Sequence, residues 1–385
     1  MIRDTEISNL TRLFEIFKVV AIVGARQVGK TTLAQQFLEH SQKTVSFFDL
    51  ENPEDITRLA DPMLTLKKLK GIVVLDEIQR LPDLFRILRV LADRPKTPAR
   101  FLVLGSASPN LLRQSSETLA GRITYQELGG FSINEVGLEN LEKLWLRGGF
   151  PLSFLARTHA NSEAWRKSFI KSFIERDMPQ LGFTINSTTL RRFWSMLAHY
   201  HGQIWNASDI GRSFGLAHTT VRSYLDALTS ALVVRQLQPW FENISKRQVK
   251  APKVYITDSG LMHTLLNVRT MADLEGHPKV GASWEGFVIE QLIRHLGVEY
   301  SECYFWATHA GAELDLFIPR GRKRYGFEIK RTTAPRLTPS MRSAMDTLKL
   351  TRLDVIHMGE HIFPLAEKVR AVPFLQMLET IQPFR

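Results

Sequence analysis

Cysteine and long apolar runs are the scarcest features of this 385-residue sequence. Cys303 is its one cysteine, which excludes an internal disulfide and any zinc site built from several cysteines. No apolar run approaches the ~20 residues that a membrane-spanning helix needs, and the opening MIRDTEISNL lacks the basic-then-apolar layout of a secretory signal. The sequence therefore predicts a cytoplasmic protein without stable membrane insertion.

Acidic side chains are outnumbered by basic ones. Lysine and arginine total 50 against 39 aspartates and glutamates, a formal charge of +11. Such a surplus suits a polyanionic partner, DNA or RNA first and an anionic membrane second, while a basic protein with neither partner is the plainer alternative. Low-complexity segments are also missing, and 44% hydrophobic residues suffice for ordinary cores. The length indicates two or three domains.

A phosphate-binding loop stands near the start of the chain. Residues 18–23 read KVVAIV, a buried-strand run, and lead into GARQVGKT at 24–31 and then an apolar-periodic helix. Backbone amides of such a loop cradle phosphates, a lysine reaches the β- and γ-phosphates and a threonine hydroxyl ligates Mg²⁺. ATP and Mg²⁺ are therefore the predicted cofactors. The predicted nucleotide contacts are Gly24, Ala25, Arg26, Gln27, Val28, Gly29, Lys30, Thr31 and Thr32.

A second buried-strand run, GIVVLD at 71–76, ends in a carboxylate. Asp76 is placed to hold the Mg²⁺ shell together with Thr31, and Glu77 to orient an attacking water. Ser106, at the end of a further strand, either senses the γ-phosphate or is a turn serine. Strands also predicted at 44–50, 100–108 and 122–128 alternate with helices, which indicates a parallel sheet whose ligand lies at the carboxyl ends of the strands.

Residues 18–130 resemble an AAA+ ATPase of the additional-strand, catalytic-glutamate class. More narrowly, DEIQRLP at 76–82, LGSASPNLL at 104–112 and ETLAGR at 117–122 resemble a family of prokaryotic ATPases related to archaeal ATPases. The resemblance implies that Glu77 is the general base, that the protein forms a homo-oligomer such as a ring, and that a domain of unknown function with a nuclease-like fold ends the chain.

Two further candidate nucleotide contacts, Arg122 and Pro151, each have two interpretations. Arg122, just before the last predicted strand, either reaches a neighbouring subunit's ATP as an arginine finger or pairs within its own domain. Pro151 lies in GGFP at 148–151, which is similar to the element that contacts adenine from a helical lid in related ATPases; without that resemblance it indicates only a turn.

The middle of the chain contains a helix-turn-helix pattern at 206–240. Ser208 is expected to cap a helix over 209–214 that stops at Gly215, and a second helix begins near His218. The exposed face of that helix and a basic run that continues to Lys253 suit DNA, although a winged-helix fold also serves as a protein-interaction module or lid and the run also fits a solvated linker. The predicted nucleic-acid contacts are His218, Thr219, Arg222, Lys246, Arg247 and Lys250.

A carboxylate-rich pattern follows in the last third. Glu285 lies among apolar residues of a helix over 281–297, Asp315 lies on a strand over 311–319, and Glu328 and Lys330 share one face of a strand over 324–332. Asp315 and Glu328 on adjacent strands would offer the hard oxygen ligands that Mg²⁺ or Mn²⁺ prefers, with Lys330 orienting a water.

This helix–strand–hairpin set is similar to the PD-(D/E)xK nuclease fold, and to archaeal Holliday-junction resolvases in particular. The resemblance implies a catalytic set of Glu285, Asp315, Glu328 and Lys330. The domain could either cleave DNA or only bind it, because proteins with this fold also include binding modules without nuclease activity.

The sequence thus predicts an α/β protein of three parts. Residues 1–135 form an AAA+ P-loop parallel sheet, 136–248 a helical lid with a winged-helix-like region, and 249–385 an α/β restriction-endonuclease-like domain. The expected function is ATP hydrolysis coupled to action on DNA. The alternatives are a regulatory ATPase with helix-turn-helix output and an inert nuclease fold, and an ATPase that remodels protein or membrane partners.

Overall fold

The structure is a computed structural model that describes residues 1–95, 99–106, 118–241 and 249–384. These residues divide into two units. Unit 1 comprises Met1–Gly130 and Ser230–Leu232, and unit 2 comprises Phe131–Thr229 and the chain from Val233 onward. No helix within the described ranges is both long and apolar enough to cross a membrane.

Unit 1 is built on a five-stranded sheet in which every neighbouring pair is parallel. The strand order is β2-β3-β4-β1-β5, so β4 separates the strand of the phosphate loop from the strand that ends in Asp76. All six residues of β1 are buried, as expected for a parallel strand covered on both faces. The strands are β1 Val19–Gly24, β2 Val45–Asp49, β3 Gly71–Asp76, β4 Ala99–Ser106 and β5 Ile123–Leu128.

Helices cover this sheet because their apolar faces match its apolar strands. Leu84, Leu88 and Leu91 recur at helical spacing and pack with Phe101 and Val103 of β4 in one core. The predicted α/β P-loop fold is therefore confirmed. The helices of unit 1 are α1 Asp4–Ile16, α2 Lys30–Glu39, α3 Pro53–Arg58, α4 Pro62–Lys67 and α5 Leu84–Ala92.

Unit 2 opens with helices and continues into a mixed sheet. A π-helical turn, Phe173–Asp177, follows the fourth of these helices. The helices are α6 Ile133–Val136, α7 Leu141–Arg147, α8 Pro151–Phe154, α9 His159–Ser172, α10 Met178–Gln180, α11 Ser187–His199, α12 Ala207–Phe214, α13 His218–Ser230, α14 Ser259–Leu265, α15 Met271–Glu275, α16 Val280–Leu296, α17 Pro339–Leu348 and α18 Met377–Thr380.

Nine strands form one sheet in the order β13-β14-β12-β11-β10-β9-β7-β8-β6. The predicted boundary at 248–249 falls between β7 and β8, which pair antiparallel in this sheet. The strands are β6 Gln203–Ile204, β7 Val234–Pro239, β8 Lys253–Ile256, β9 Tyr304–Ala307, β10 Glu313–Arg320, β11 Lys323–Lys330, β12 Arg352–His357, β13 Phe363–Ala366 and β14 Val369–Pro373.

The predicted helix-turn-helix is present as a winged-helix arrangement. The chain order α11, β6, α12, α13, β7, β8 and the antiparallel pairing of β8 with both β6 and β7 give three helices and a three-stranded wing. Gly215, with φ of 65°, ends α12 as expected. The cap differs from expectation: the side chain of Asn206, not Ser208, accepts hydrogen bonds from the backbone N–H groups of residues 208 and 209.

A buried carboxylate holds the GGFP turn at 148–151. Asp258 accepts hydrogen bonds from the Gly149 amide at 2.7 Å and from the Leu261 amide, at the start of α14, at 2.8 Å. Gly148 has φ of 76°, and a Cβ there would lie 2.1 Å from a carboxylate oxygen of Asp258. Burial raises the pKa of Asp258. Only glycine fits this turn beside that carboxylate.

Asp258→Ala is expected to lower the free energy of unfolding of unit 2 by about 1–3 kcal/mol for each backbone amide that loses its acceptor. Asp258→Asn, which keeps one acceptor oxygen, should lose less. Chemical denaturation followed by circular dichroism measures both, and equal stability of Asp258→Ala and the wild type would show that the turn does not depend on this carboxylate.

Candidate functional site

The phosphate loop between β1 and α2 has the backbone that its glycines predict. Gly29 has φ of 99° and Gln27 of 62°, both in the left-handed region. A Cβ on Gly24 would lie 2.5 Å from the Leu128 carbonyl oxygen, so only glycine fits where β1 runs beside β5. The loop therefore folds tightly enough to turn backbone amides toward a phosphate.

Lys30 brings a buried cation to this loop. It is 6% exposed, and its Nζ donates to the carbonyl oxygens of Gly24 and Ala25, both at 3.1 Å. Lys30 is also the first residue of α2, whose first turn contains no acidic side chain. The ammonium and the positive end of the helix dipole thus favour an anion at the same place.

Thr31 and Asp76, the two predicted Mg²⁺ ligands of this unit, are in contact. The Thr31 hydroxyl donates to Asp76 Oδ2 at 2.7 Å, and Asp76 Oδ1 accepts from the Glu77 amide at 2.9 Å. Burial raises the pKa of Asp76, and the hydrogen bond from Thr31 opposes that rise. One hydroxyl and one carboxylate fit Mg²⁺ in an ATPase, where the ion keeps several waters and binds substrate phosphates for its other ligands.

Glu77 adopts a backbone conformation that few non-glycine residues tolerate. Its φ is 56°, and its Oε2 accepts a hydrogen bond from the Gln79 amide nitrogen. Gln79 Oε1 is buried with no hydrogen-bond partner among the described residues. Strain of this kind clusters at functional sites. Sequence reasoning missed Gln79, because only the turn Ile78–Arg80 brings its amide back to Glu77.

The other loop residues predicted as nucleotide contacts divide by exposure. Ala25 and Val28 are buried and fix the loop against the sheet, whereas Gln27, Thr31 and Thr32 are exposed. Arg26 lies 3.7 Å from Glu51, and Arg80 lies 2.6 Å from the same carboxylate. The ion pairs connect the loop to the segments that follow β2 and β3.

Ser106 and Arg122 lie at opposite edges of the sheet. Ser106 ends β4 level with Gly24, on the edge that carries the phosphate loop. Arg122 precedes Ile123, which pairs with Val19 at the other edge, about 16 Å away at ~3.3 Å per residue. Arg122 pairs with Asp93, which raises the pKa of Arg122. Arg122 therefore does not reach a nucleotide on its own loop, and its action on a neighbouring subunit stays a prediction.

Glu77→Gln is expected to lower kcat for ATP hydrolysis by about 10²–10⁴-fold, since it removes the proton acceptor while keeping the shape of the side chain. ATP affinity should change little. Phosphate-release kinetics and fluorescent-nucleotide binding measure the two effects. Glu39→Gln, at an exposed carboxylate at the end of α2, is the matched control, and equal loss of rate in both variants would contradict the role of Glu77.

A lysine-centred cluster lies in unit 2, consisting of Lys253, Glu285, Glu313 and Asp315. Lys253 Nζ lies 3.2 Å from Glu285 and 3.6 Å from Asp315, and it also contacts Glu313. Lys253 is 2% exposed. Burial alone would lower the pKa of Lys253, but Glu285 and the other acidic neighbours raise it well above its ordinary value. The ammonium is thus held charged inside the unit.

Glu328 and Lys330 form a second ion pair next to this cluster. Lys330 Nζ lies 2.7 Å from Glu328 Oε1, and Asp315 Oδ2 accepts from the Ile329 amide at 2.8 Å, which ties β10 to β11. Burial, and then the charge of Asp315, raise the pKa of Glu328 to about 8, although Lys330 opposes the rise. Glu328 Oε2 is buried without a hydrogen-bond partner in the described part of the chain.

The four residues of the predicted nuclease set are therefore brought together, with one addition. The sequence places Lys253 at the end of a basic run and at the start of a strand, but it does not indicate that Lys253 is buried at the centre of the carboxylates, as the structure has it. No group of three or more histidine, cysteine, aspartate or glutamate side chains suited to a metal ion occurs among the residues described. With the ammonium in place, these residues do not fit the Mg²⁺ or Mn²⁺ predicted at Asp315 and Glu328.

Unit 2 is expected to lose stability as pH rises from about 4.5 toward about 8. Glu328 has an ordinary pKa of 4.5 and a pKa of about 8 in the folded protein, so over this window the folded state binds more proton than the unfolded state. Glu328→Gln should flatten the dependence. Denaturation midpoints between pH 5 and pH 8 measure it, with exposed Glu360→Gln as control, and an unchanged slope in Glu328→Gln would contradict the assignment.

The exposed face of α13 has the side chains predicted to meet nucleic acid. His218, Thr219 and Arg222 are exposed, while Val221 and Leu225 are buried against the rest of the motif. Arg222 lies 3.5 Å from Asp226, one turn along the helix. Lys250 is exposed, and Lys246 and Arg247 lie outside the described residues. Pro151 begins α8 of unit 2, and its contact with adenine stays a prediction.

Three family models match successive parts of the chain. Residues 17–137 match an AAA domain, 138–272 the domain of unknown function DUF8612, and 280–377 the domain of unknown function DUF4143. Among solved structures, a Walker-type ATPase of Pyrococcus abyssi is 16% identical with a TM-score of 0.46 over 69% of this chain and 95% of that chain. A signal transduction ATPase of Pyrococcus horikoshii is 15% identical with a TM-score of 0.28 over 76% and 48%.

Uncharacterised proteins of Mycobacterium tuberculosis and Mycobacterium bovis are much closer to this chain. Each is 52% identical over 373 residues, which cover 97% of this chain and 84% of the relative. The AAA-domain match covers the strands and loop that carry Lys30, Thr31 and Asp76. The chain therefore belongs, with these two mycobacterial proteins, to a family of prokaryotic AAA+ P-loop ATPases that continue into a C-terminal domain of unknown function.

Proposed function

We propose that this protein hydrolyses ATP with Mg²⁺ and uses the cycle to act on DNA, which it contacts through the winged-helix motif. The observation that carries the ATPase half is the contact between Thr31 and Asp76, with the strained Glu77 next in the chain. A nucleotide-binding protein without hydrolysis would need no carboxylate beyond the magnesium ligand. Here a second carboxylate lies at the same edge of the sheet.

The residues of unit 1 divide the chemistry between them. Lys30 and the loop amides bind the phosphates, and Thr31 and Asp76 would hold Mg²⁺, which would supply positive charge beside the transferred phosphoryl group. Glu77 orients the attacking water and accepts its proton. Gln79 fixes the Glu77 carboxylate through its amide.

The DNA half is supported by the surface of α13 and by the charge of the whole chain. His218, Thr219 and Arg222 present a donor-rich face on the second helix of a helix-turn-helix, the helix that enters the major groove in such motifs. The formal charge of +11 favours a polyanion. Metal-dependent cleavage forms no part of the proposal, because Lys253 fills the carboxylate cluster.

A homo-oligomer belongs to the same proposal. Arg122 lies at the edge of the sheet opposite to the phosphate loop, so any contact it makes with ATP requires a neighbouring subunit. AAA+ domains commonly complete their sites in this way.

Arg222→Ala is expected to weaken DNA binding and to lower the dependence of log K on log salt by about one phosphate contact. Arg342→Ala, at an exposed arginine of α17, should leave both unchanged. Fluorescence anisotropy on duplex, single-stranded and four-way-junction DNA measures the affinity, and ATPase rates are recorded with and without each DNA. Hydrolysis with no salt-dependent DNA binding would overturn the DNA half and favour a regulatory or remodelling ATPase.

A further inference from the structure

The lysine-centred cluster places three carboxylates around a protein cation. Carboxylates from one helix and one strand converge on Lys253 Nζ: Glu285 from α16, and Glu313 and Asp315 from β10. We propose that the Lys253 ammonium takes the place of a divalent cation, so that it closes this site to metal, and that a neutral residue at 253 opens an oxygen-only site for Mn²⁺ or Mg²⁺. The inference is independent of ATP hydrolysis and of DNA binding.

Lys253 matches its carboxylates in number. An ammonium has three N–H donors and no acceptor, and three carboxylates face it. Lys253 Nζ donates to Glu285 at 3.2 Å, contacts Glu313 and lies 3.6 Å from Asp315. A divalent ion would therefore meet a like charge at the point where the carboxylate oxygens converge. The Tyr255 hydroxyl donates to Glu285 Oε1 at 2.7 Å and helps to hold that carboxylate on the cluster.

The backbone register fixes the face of β8 on which Lys253 lies. Lys253 pairs with Ile204 of β6 on one side of β8 and with Leu237 of β7 on the other. A strand paired on both sides cannot slide by one residue without turning every side chain to the opposite face. The wing of the winged-helix motif therefore contributes Lys253 on the face of β8 that meets the carboxylates.

A carboxylate oxygen next to the cluster has no hydrogen-bond donor among the described residues. Glu328 is 4% exposed, its Oε2 has no hydrogen-bond partner among the described residues, and the charge of Asp315 acts on it. Glu285 and Glu313 have side chains 20% and 39% exposed, so water can complete a coordination sphere. Once the ammonium is removed, the pocket offers what Mn²⁺ and Mg²⁺ need: several carboxylates and access for water.

The test measures Mn²⁺ binding by electron paramagnetic resonance on the full chain without nucleotide. Asp76→Asn is the parent background, since it silences the metal site of unit 1. Adding Lys253→Met to the parent should add a saturable Mn²⁺ site with a dissociation constant on the order of 10⁻⁴–10⁻³ M, as for weak oxygen-only sites. Mn²⁺ should also raise the melting temperature of this variant but not of the parent.

Two matched variants complete the test. Lys253→Arg keeps a cation and should add no Mn²⁺ site, and Asp315→Asn combined with Lys253→Met should abolish the added site. A folded Lys253→Met protein that binds no additional Mn²⁺, or one whose added site persists without Asp315, overturns the proposal.

Asp315→Asn provides a second test that does not require Lys253→Met to fold. Asp315→Asn in the parent background should bind as much Mn²⁺ as the parent, because the ammonium already excludes metal there. Loss of a Mn²⁺ site on replacing Asp315 would show that metal enters beside the lysine and would overturn the proposal. Circular dichroism establishes which variants are folded.

Discussion

The hydrogen bond from the Thr31 hydroxyl to Asp76 is the interaction on which the nucleotide site depends. It joins the first turn of α2 to the end of β3 although β4 lies between β1 and β3 in the sheet. The contact is possible because all of these strands are parallel and their carboxyl ends share one edge. Glu77 follows Asp76 directly in the chain. The contact that holds Asp76 therefore also fixes the position of the Glu77 backbone.

The two units use a buried lysine in opposite ways. Lys30 donates to the neutral backbone carbonyl oxygens of Gly24 and Ala25, at the loop that the sequence predicts to bind phosphate. Lys253 is held by three carboxylates, so its charge is already neutralised. The two lysines are buried to a similar extent, with Lys30 6% and Lys253 2% exposed. Lys253 is therefore enclosed by carboxylates in unit 2, whereas Lys30 lies against the backbone of the phosphate loop in unit 1.

Features determined by local sequence could be predicted. The phosphate loop, Asp76 and the strands of unit 1 follow from short apolar runs and glycine positions, and the strand β3 begins and ends where the sequence indicates. The helix and strands that carry Glu285, Asp315 and Glu328 were also predictable from apolar periodicity.

Features that depend on contacts between distant parts of the chain could not be predicted from the sequence. Lys253 meets Glu285 across 32 residues, and nothing in a basic run distinguishes a buried strand lysine from a solvated one. The Gln79 contact depends on one short turn, and the choice of Asn206 over Ser208 as cap depends on a helix end displaced by two residues. The continuous sheet of unit 2 arises from pairing between strands on either side of a predicted boundary.

The Mg²⁺ dependence of ATP hydrolysis in Thr31→Val and Thr31→Ser proteins tests the central claim most directly. Valine keeps the shape of threonine but removes the hydroxyl that contacts Asp76, whereas serine retains it. The account predicts that Thr31→Ser hydrolyses ATP with Mg²⁺ and that Thr31→Val binds ATP but does not hydrolyse it at any Mg²⁺ concentration. Hydrolysis by Thr31→Val at the wild-type rate and Mg²⁺ dependence would contradict it.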